Sequence, residues 1–105
     1  MSYTMTEVYV AADGTELSSD GNVDRVEHPS TGVYNVYCNT TEVEEKVHFQ
    51  VNARAASGTS DVICQAVTKF LDDGTVIGGQ VKFFKNYDPS QPVDCAFELL
   101  IQSRT

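Results

Sequence analysis

The side chains that could carry out acid, base or nucleophilic chemistry in this chain are few and widely spaced. Its two histidines are His28 and His48, and its three cysteines are Cys38, Cys64 and Cys95. His28 precedes a proline in a predicted turn and His48 lies on the polar face of a predicted strand, so we expect both imidazoles to be solvated. Cys64 with His48 is the alternative, a thiol and base pair that their predicted opposite facing disfavours.

The motifs that position catalytic groups are not found in the sequence. No serine is flanked by glycines in the hydrolase pattern, and no glycine-rich loop has the spacing that cradles a phosphate. We therefore predict that the protein is not an enzyme, and we assign no catalytic, cofactor-binding or metal-binding residues.

The three cysteines are an odd number at wide spacing and match no zinc-binding pattern. Each falls in a predicted strand, so we expect buried thiols that behave as small apolar side chains. A single disulfide is the alternative. The N-terminus lacks a basic region followed by an apolar segment, which favours a reducing compartment and free thiols.

Acidic and aromatic side chains offer two further kinds of site. The carboxylates cluster as Asp20 with Asp24, as Glu42 with Glu44 and Glu45, and as Asp72 with Asp73. None of these groups has the spacing of an EF-hand loop, and the segment 13–24 is the alternative metal site that we considered. Tyr3, Tyr9, Tyr37 and Tyr87 could recognise sugars or partner proteins, but β-propensity explains them equally well.

Length and charge restrict the classes of protein to which the chain could belong. With 105 residues it has the size of one domain that buries a core, so we predict a single domain over residues 1–105. The formal net charge of -8 repels phosphate backbones and anionic lipid surfaces, so we expect neither nucleic acid nor membrane as a partner. No stretch approaches the length of a membrane span.

Alternation of apolar and polar residues recurs along the chain and predicts strands, most clearly for Val47, Phe49, Val51 and Ala53 against the polar residues between them. We predict strands near residues 6–11, 23–27, 33–38, 47–54, 62–71, 75–86 and 96–103. Turns are predicted at 13–22, 28–32, 72–75 and 87–92, a polar connection with a Thr41 to Glu44 capping box at 39–45, and a bulge at Gly78-Gly79. These elements predict an all-β antiparallel β-sandwich of about seven strands, immunoglobulin-like or jelly-roll-like.

Three segments resemble a small β-sandwich module found at the ends of bacteriophage tail fibres and in related virion-associated proteins. They are the residues Val23-Asp24-Arg25-Val26, the residues Thr31-Gly32-Val33-Tyr34-Asn35-Val36 and the closing run from Asp94 to Ile101. The resemblance covers most of residues 22–102. Two features depart from it: Cys38 stands where such modules look aromatic, and the acidic run from Glu42 to Glu45 has no clear counterpart.

The resemblance implies a non-enzymatic virion structural protein, a decoration or fibre-like module that attaches to a phage capsid or tail and is assembled in the host cytoplasm. It implies other virion proteins as partners and a homo-oligomer, with a trimer among the forms expected. Residues 1–6 could form an N-terminal arm that adds a strand to a neighbour, or a frayed terminus. The alternative function is a carbohydrate-binding or receptor-binding module of a phage tail or bacterial surface protein, with a glycan as ligand, and a small enzyme or metal-dependent domain is a weaker one.

Overall fold

The computed structural model describes residues 3–19, 22–38, 42–54 and 60–104, with side chains from residue 5 onward. Its strands are β1 (Tyr3–Val10), β2 (Glu16–Ser19), β3 (Val23–Ser30), β4 (Val33–Cys38), β5 (Val47–Arg54), β6 (Ile63–Asp72), β7 (Thr75–Lys85) and β8 (Ala96–Arg104), with a 3-10 turn at Glu44–Lys46. The strands form two four-stranded sheets. The first sheet has the order β2-β1-β8-β5 and the second has the order β3-β4-β7-β6, and all pairs are antiparallel.

The structure confirms the all-β antiparallel sandwich that the alternation predicts. Strands β5, β6, β7 and β8 form a Greek key across the two sheets, because β8 returns to pair with β5 after the β6–β7 hairpin. The first and last strands pair along their length, from Tyr3 opposite Arg104 to Val10 opposite Phe97. Residues 3–6, part of the arm considered from the sequence, therefore belong to β1, and residues 1–2 lie outside the described residues.

The core fills the space between the inner faces of the two sheets. Its buried residues are Val8, Val10, Tyr34, Val36, Cys38, Val47, Val51, Val76, Val81, Phe83, Cys95, Phe97, Leu99 and Ile101. The predicted alternation is confirmed in β8, where Phe97, Leu99 and Ile101 are buried. It holds in β5 except at its end, because Ala53 is exposed. Burying each large side chain stabilises the fold by about 1.5 to 3 kcal/mol.

Two glycines at adjacent positions of β7 shape the middle of the second sheet. Residue Ile77 is an extra residue of β7 between the pairs Phe70–Gly78 and Leu71–Val76, so the bulge predicted near Gly78-Gly79 is confirmed. A Cβ on Gly79 would lie 2.1 Å from Cε2 of Phe49. The Phe49 ring therefore packs against Gly79 in space that any larger residue at position 79 would occupy.

Several predicted boundaries are wrong. The sequence predicts a turn-rich connection over 13–22, but this stretch contains β2, a short edge strand that raises the strand count of the described residues to eight. The turn expected at 28–32 is confined to Thr31 and Gly32, because β3 continues to Ser30. Pro29 fits there since β3 is an edge strand with a one-residue irregularity between Glu27 and Ser30, so its missing N–H removes no ladder bond.

The connections differ in how well the sequence predicts them. The Asp73-Gly74 hairpin is confirmed, and both residues have positive φ, 51° and 81°, as a type I′ turn requires. In the 39–45 connection, Thr41 lies outside the described residues. The 3-10 turn there has Val43 at its N-cap with no side-chain capping bond, so Glu44 is not the third residue of a capping box.

Candidate interaction surfaces

One end of the sandwich is closed by the hydroxyl of Tyr34. Tyr34 lies near the start of β4 and is fully buried. Its hydroxyl donates to the carbonyl oxygen of Ala12 at 2.5 Å and accepts from the backbone N–H of Cys95 at 3.1 Å. One side chain thus joins the β1–β2 turn to the segment that precedes β8. We call the region around it the Tyr34 end.

His28 belongs to the same cluster. Its ring stacks on the ring of Tyr34 at 4.4 Å with an interplanar angle of 4°. Nδ1 lies 2.8 Å from the carbonyl oxygen of Val33, and Nε2 lies 3.1 Å from Oδ1 of Asp94. The expectation that His28 is solvated is wrong: its side chain is 19% exposed, because β3 continues into the expected turn, as far as Ser30, and carries the ring over Tyr34.

Asp94 and two glycines complete the Tyr34 end. Oδ1 of Asp94 accepts from the backbone N–H of Gly32 at 2.7 Å as well as facing His28. A Cβ on Gly14 would lie 2.6 Å from Cβ of His28, so the β1–β2 turn passes directly over the imidazole. Sequence reasoning missed this cluster, because Ala12 and Asp94 are distant in sequence from His28 and Tyr34, and only the packing of the two sheets brings them to that pair.

The polar groups of the Tyr34 end form hydrogen bonds that stabilise the fold. Burial raises the pKa of Tyr34 to about 12, so the hydroxyl keeps its proton at neutral pH and donates it to Ala12. Both ring nitrogens of His28 face oxygen acceptors within the fold. Burial also raises the pKa of Cys95, which makes its thiol a poor nucleophile. These groups therefore hold loops together.

None of the three cysteines forms a disulfide in the structure, so the alternative disulfide is not present. Cys38 and Cys95 are buried, as predicted, whereas Cys64 is half-buried. Cys38 and Cys64 lie in β4 and β6, and Cys95 immediately precedes β8 instead of lying within it. His48 is exposed on β5 of the first sheet, as predicted, while Cys64 lies in the second sheet. The structure does not bring this thiol and base together.

The carboxylate groups do not converge on a metal site within the described residues, where no three His, Cys, Asp or Glu side chains are grouped as ligands. Asp20 lies outside those residues. Asp24 lies 3.1 Å from the guanidinium of Arg25. Asp13 accepts from the hydroxyl and the backbone N–H of Thr15, and these bonds lower the pKa of Asp13. The loop considered as a metal site therefore uses its first carboxylate for its own turn.

The candidate tyrosines have different environments. The side chain of Tyr3 lies outside the described residues. Tyr9 lies half-buried on the first sheet, and its hydrogen bond to Glu98 raises the pKa of Tyr9. The ring of Tyr37 has the guanidinium of Arg25 on one face at 3.9 Å and the ring of Phe70 stacked at 5.5 Å. Of the candidate tyrosines whose side chains the structure describes, only Tyr87, which is 78% exposed, has a largely open ring.

The outer face of the second sheet is the broadest candidate for an interaction surface. Tyr37 and Phe70 are both paired with Gly78, so their rings meet over a position without a side chain. Beside them, the amide of Gln80 donates to Oδ1 of Asn35 at 3.0 Å. These contacts join the side chains of β4, β6 and β7 to one another on this part of the face.

Farther along, the same face opens into a groove near the Tyr34 end. The groove has a volume of about 470 Å³, and its lining includes Val33, Ala66, Lys82, Phe84, Pro89 and Pro92. Most of these side chains are apolar, and the exposed ammonium group of Lys82 stands among them. The loop between β7 and β8 forms one wall, since Pro92 makes a bridge to Phe84.

A second concavity lies at the opposite end of the sandwich, beside the 3-10 turn. This cleft has a volume of about 570 Å³ and is lined by Val43, Glu44, Glu45, Val47, His48, Lys69, Leu71 and Gly74. The ammonium group of Lys69 donates to the carbonyl oxygen of Glu44 at 3.2 Å. We call this region the cleft end. It mixes apolar and charged side chains, and Val43 and Leu71 are both more than 40% exposed.

Within the described residues, no helix is long and apolar enough to span a membrane. No protein-family model, curated protein sequence or solved structure matches this chain. The chemistry of these surfaces is therefore the basis on which a function is inferred.

Proposed function

We propose that this protein is a non-enzymatic virion structural protein, a decoration or fibre-like module that attaches to a phage capsid or tail through protein contacts. The groove on the outer face of the second sheet is the observation that carries the proposal. Its apolar walls remain accessible, whereas the histidine, tyrosine and aspartate of the Tyr34 end bond to one another and to the backbone. The phage assembly itself is inferred from the sequence resemblance.

The groove has the chemistry of a protein-docking site. Apolar walls bury a side chain of the partner, and an exposed cation at the rim selects for a neighbouring carboxylate. Lys82 is such a cation in a chain whose net charge is -8. We therefore infer that the partner on the virion presents an apolar side chain next to an acidic one.

Mass spectrometry of purified phage particles tests the assignment to a virion. The chain is expected in the particle fraction in a fixed ratio to the coat or tail protein. Its presence only in the host fraction that lacks particles would contradict the proposal.

Binding to particles that lack the chain tests the groove. Lys82→Glu should reduce the particle-bound fraction about tenfold, because one charge-assisted contact contributes roughly 1.4 kcal/mol or more. Lys46→Glu is the matched control: it makes the same change in net charge at an exposed residue of the 3-10 turn. Equal losses for the two variants would show that overall charge, and not the groove, governs attachment.

The carbohydrate-binding alternative has one specific observation in its favour. Tyr87 is exposed and has a left-handed backbone with φ of 61°, next to Asn86 with φ of 55°. Such a conformation is uncommon for an aromatic residue, and backbone outliers are often found at functional sites. A glycan array with wild type and Tyr87→Ala separates the two functions: binding lost in the variant supports the alternative, and no binding by wild type removes it.

A further inference from the structure

The free edge of β6 differs from the other three sheet edges. Strand β2 has four residues, β3 contains Pro29 and three charged residues, and the carbonyl oxygen of Val51 in β5 accepts from the amide of Gln65 at 2.8 Å. Strand β6 has ten residues, no proline or glycine, and Lys69 as its only charge before the terminal Asp72. Short edges, prolines and charges are the usual protection against edge pairing, and β6 has little of it.

Apolar exposure is concentrated along this edge. Val67 in β6 is 39% exposed and Leu71 is 47% exposed, while Val62, just before the strand, is 45% exposed. Val67 is paired with the buried Val81, so it points toward the space between the sheets even though it is accessible. Among the described residues, the backbone of β6 has no hydrogen-bonded neighbour on the side away from β7.

We propose that β6 pairs antiparallel with β6 of a second copy of this chain and joins the two second sheets into one eight-stranded sheet. An antiparallel pair centred on Val67 places each side chain opposite one that points to the same face. Val67 then faces Val67 of the second copy. Gln65 faces Lys69 of the second copy, and Ile63 faces Leu71 of the second copy. On the outer face, Ala66 meets Thr68 and Cys64 meets Phe70.

Charge disfavours the register that is shifted toward the C-terminal end of β6. A shift that centres the pair on Lys69 opposes two ammonium groups, whereas the Val67 register sets each ammonium beside an uncharged amide. The two-fold axis makes the contact isologous, so it closes as a dimer instead of a trimer or an open fibre. The inference concerns self-association alone and does not depend on attachment to a virion.

Sedimentation velocity of the full chain over a range of concentrations tests the dimer. Wild type should form a dimer, and Val67→Lys should weaken dimerisation about tenfold or more, because it opposes two like charges at the two-fold axis. Gln50→Lys, a control on the exposed face of β5, should leave the dissociation constant unchanged. Since both copies carry a net charge of -8, added salt should strengthen the wild-type dimer.

Oxidative cross-linking tests the register without a charge that could disturb folding. Val67→Cys in a Cys64→Ser background should give a disulfide-linked dimer, because residues opposite each other in antiparallel strands are about 4.5 to 5.5 Å apart at Cα, within disulfide reach. Ala66→Cys in the same background should cross-link far less, since it faces Thr68 and not itself. A monomeric wild type, a trimer, or equal cross-linking of the two variants would overturn the proposal.

Discussion

The two ends of this sandwich are built from the same strands, but the loops at each end make different contacts. At the Tyr34 end, the β1–β2 turn, the β3–β4 turn and the segment before β8 are joined by the side chains of His28, Tyr34 and Asp94. At the cleft end, the 3-10 turn meets the β6–β7 hairpin across a space of about 570 Å³.

The contrast shows that different regions of the molecule stabilise the fold and offer surfaces for interaction. Directional hydrogen bonds around the buried Tyr34 determine one arrangement of loops at the Tyr34 end. Accessible apolar side chains at the cleft end and along β6 contribute little to the monomer and are available to a partner. Substitutions at the Tyr34 end should therefore lower the free energy of unfolding, while those at the cleft end and along β6 should mainly change association.

The largest expected effect is at Gly32. Its φ is +73°, and a Cβ there would lie 2.6 Å from the carbonyl oxygen of Phe83. Gly32→Ala should lower the free energy of unfolding by about 3 to 5 kcal/mol, from backbone strain and overpacking together. Gly74→Ala is the matched control, because Gly74 has φ of +81° with nothing within 4 Å, and it should cost about 1 to 2 kcal/mol. Urea unfolding measures both, and equal costs would show that the Tyr34 end is loosely packed.

The next effect concerns the hydroxyl of Tyr34. Tyr34→Phe leaves the acceptor of Ala12 and the donor of Cys95 without their partner, so it should cost about 1 to 3 kcal/mol. Tyr87→Phe removes an exposed hydroxyl and should change stability by less than about 0.5 kcal/mol. Thermal unfolding followed by circular dichroism compares the two variants. A neutral Tyr34→Phe would mean that water replaces the hydroxyl.

Alkaline pH should weaken the Tyr34 end through the same group. The pKa of Tyr34 is raised from 10.0 to about 12, so between these values the native state retains a proton that the unfolded state loses. Stability from this group is complete below pH 10 and falls as pH rises toward 12, by on the order of 2 kcal/mol. Urea unfolding at pH 9 and near pH 11.5 should show a larger loss for wild type than for Tyr34→Phe. Equal losses would attribute the change to overall charge.

The smallest effect is expected along the edge of β6. Val67→Thr replaces a methyl group with a hydroxyl at a side chain that is 39% exposed, and should change monomer stability by less than about 0.5 kcal/mol. Val10→Thr makes the same replacement at a residue that is 1% exposed, at the end of β1 nearest Ala12, and should cost about 1 to 3 kcal/mol. Unfolding is measured at concentrations below those at which the chain dimerises. Similar costs would mean that Val67 is not accessible to solvent in the monomer.

How far sequence reasoning reached depends on whether the signal is local. The β4 strand, the Asp73-Gly74 hairpin, the bulge near Gly78 and the inward face of β8 follow from alternation and turn chemistry within a few residues, and the structure confirms them. The predicted end of β3 is wrong, because proline and glycine indicate a turn in the sequence, whereas an edge strand accommodates Pro29.

The fold class follows from the sequence alone, because a two-residue period with short turns leaves few arrangements other than packed antiparallel sheets. The environment of the side chains that could do chemistry is visible in the folded structure alone. His28 looks solvated in sequence, yet it is stacked on Tyr34 and paired with Asp94, a residue 66 positions later in the numbering. The contact with Asp94 depends on how the two sheets align in space, and no local pattern encodes that alignment.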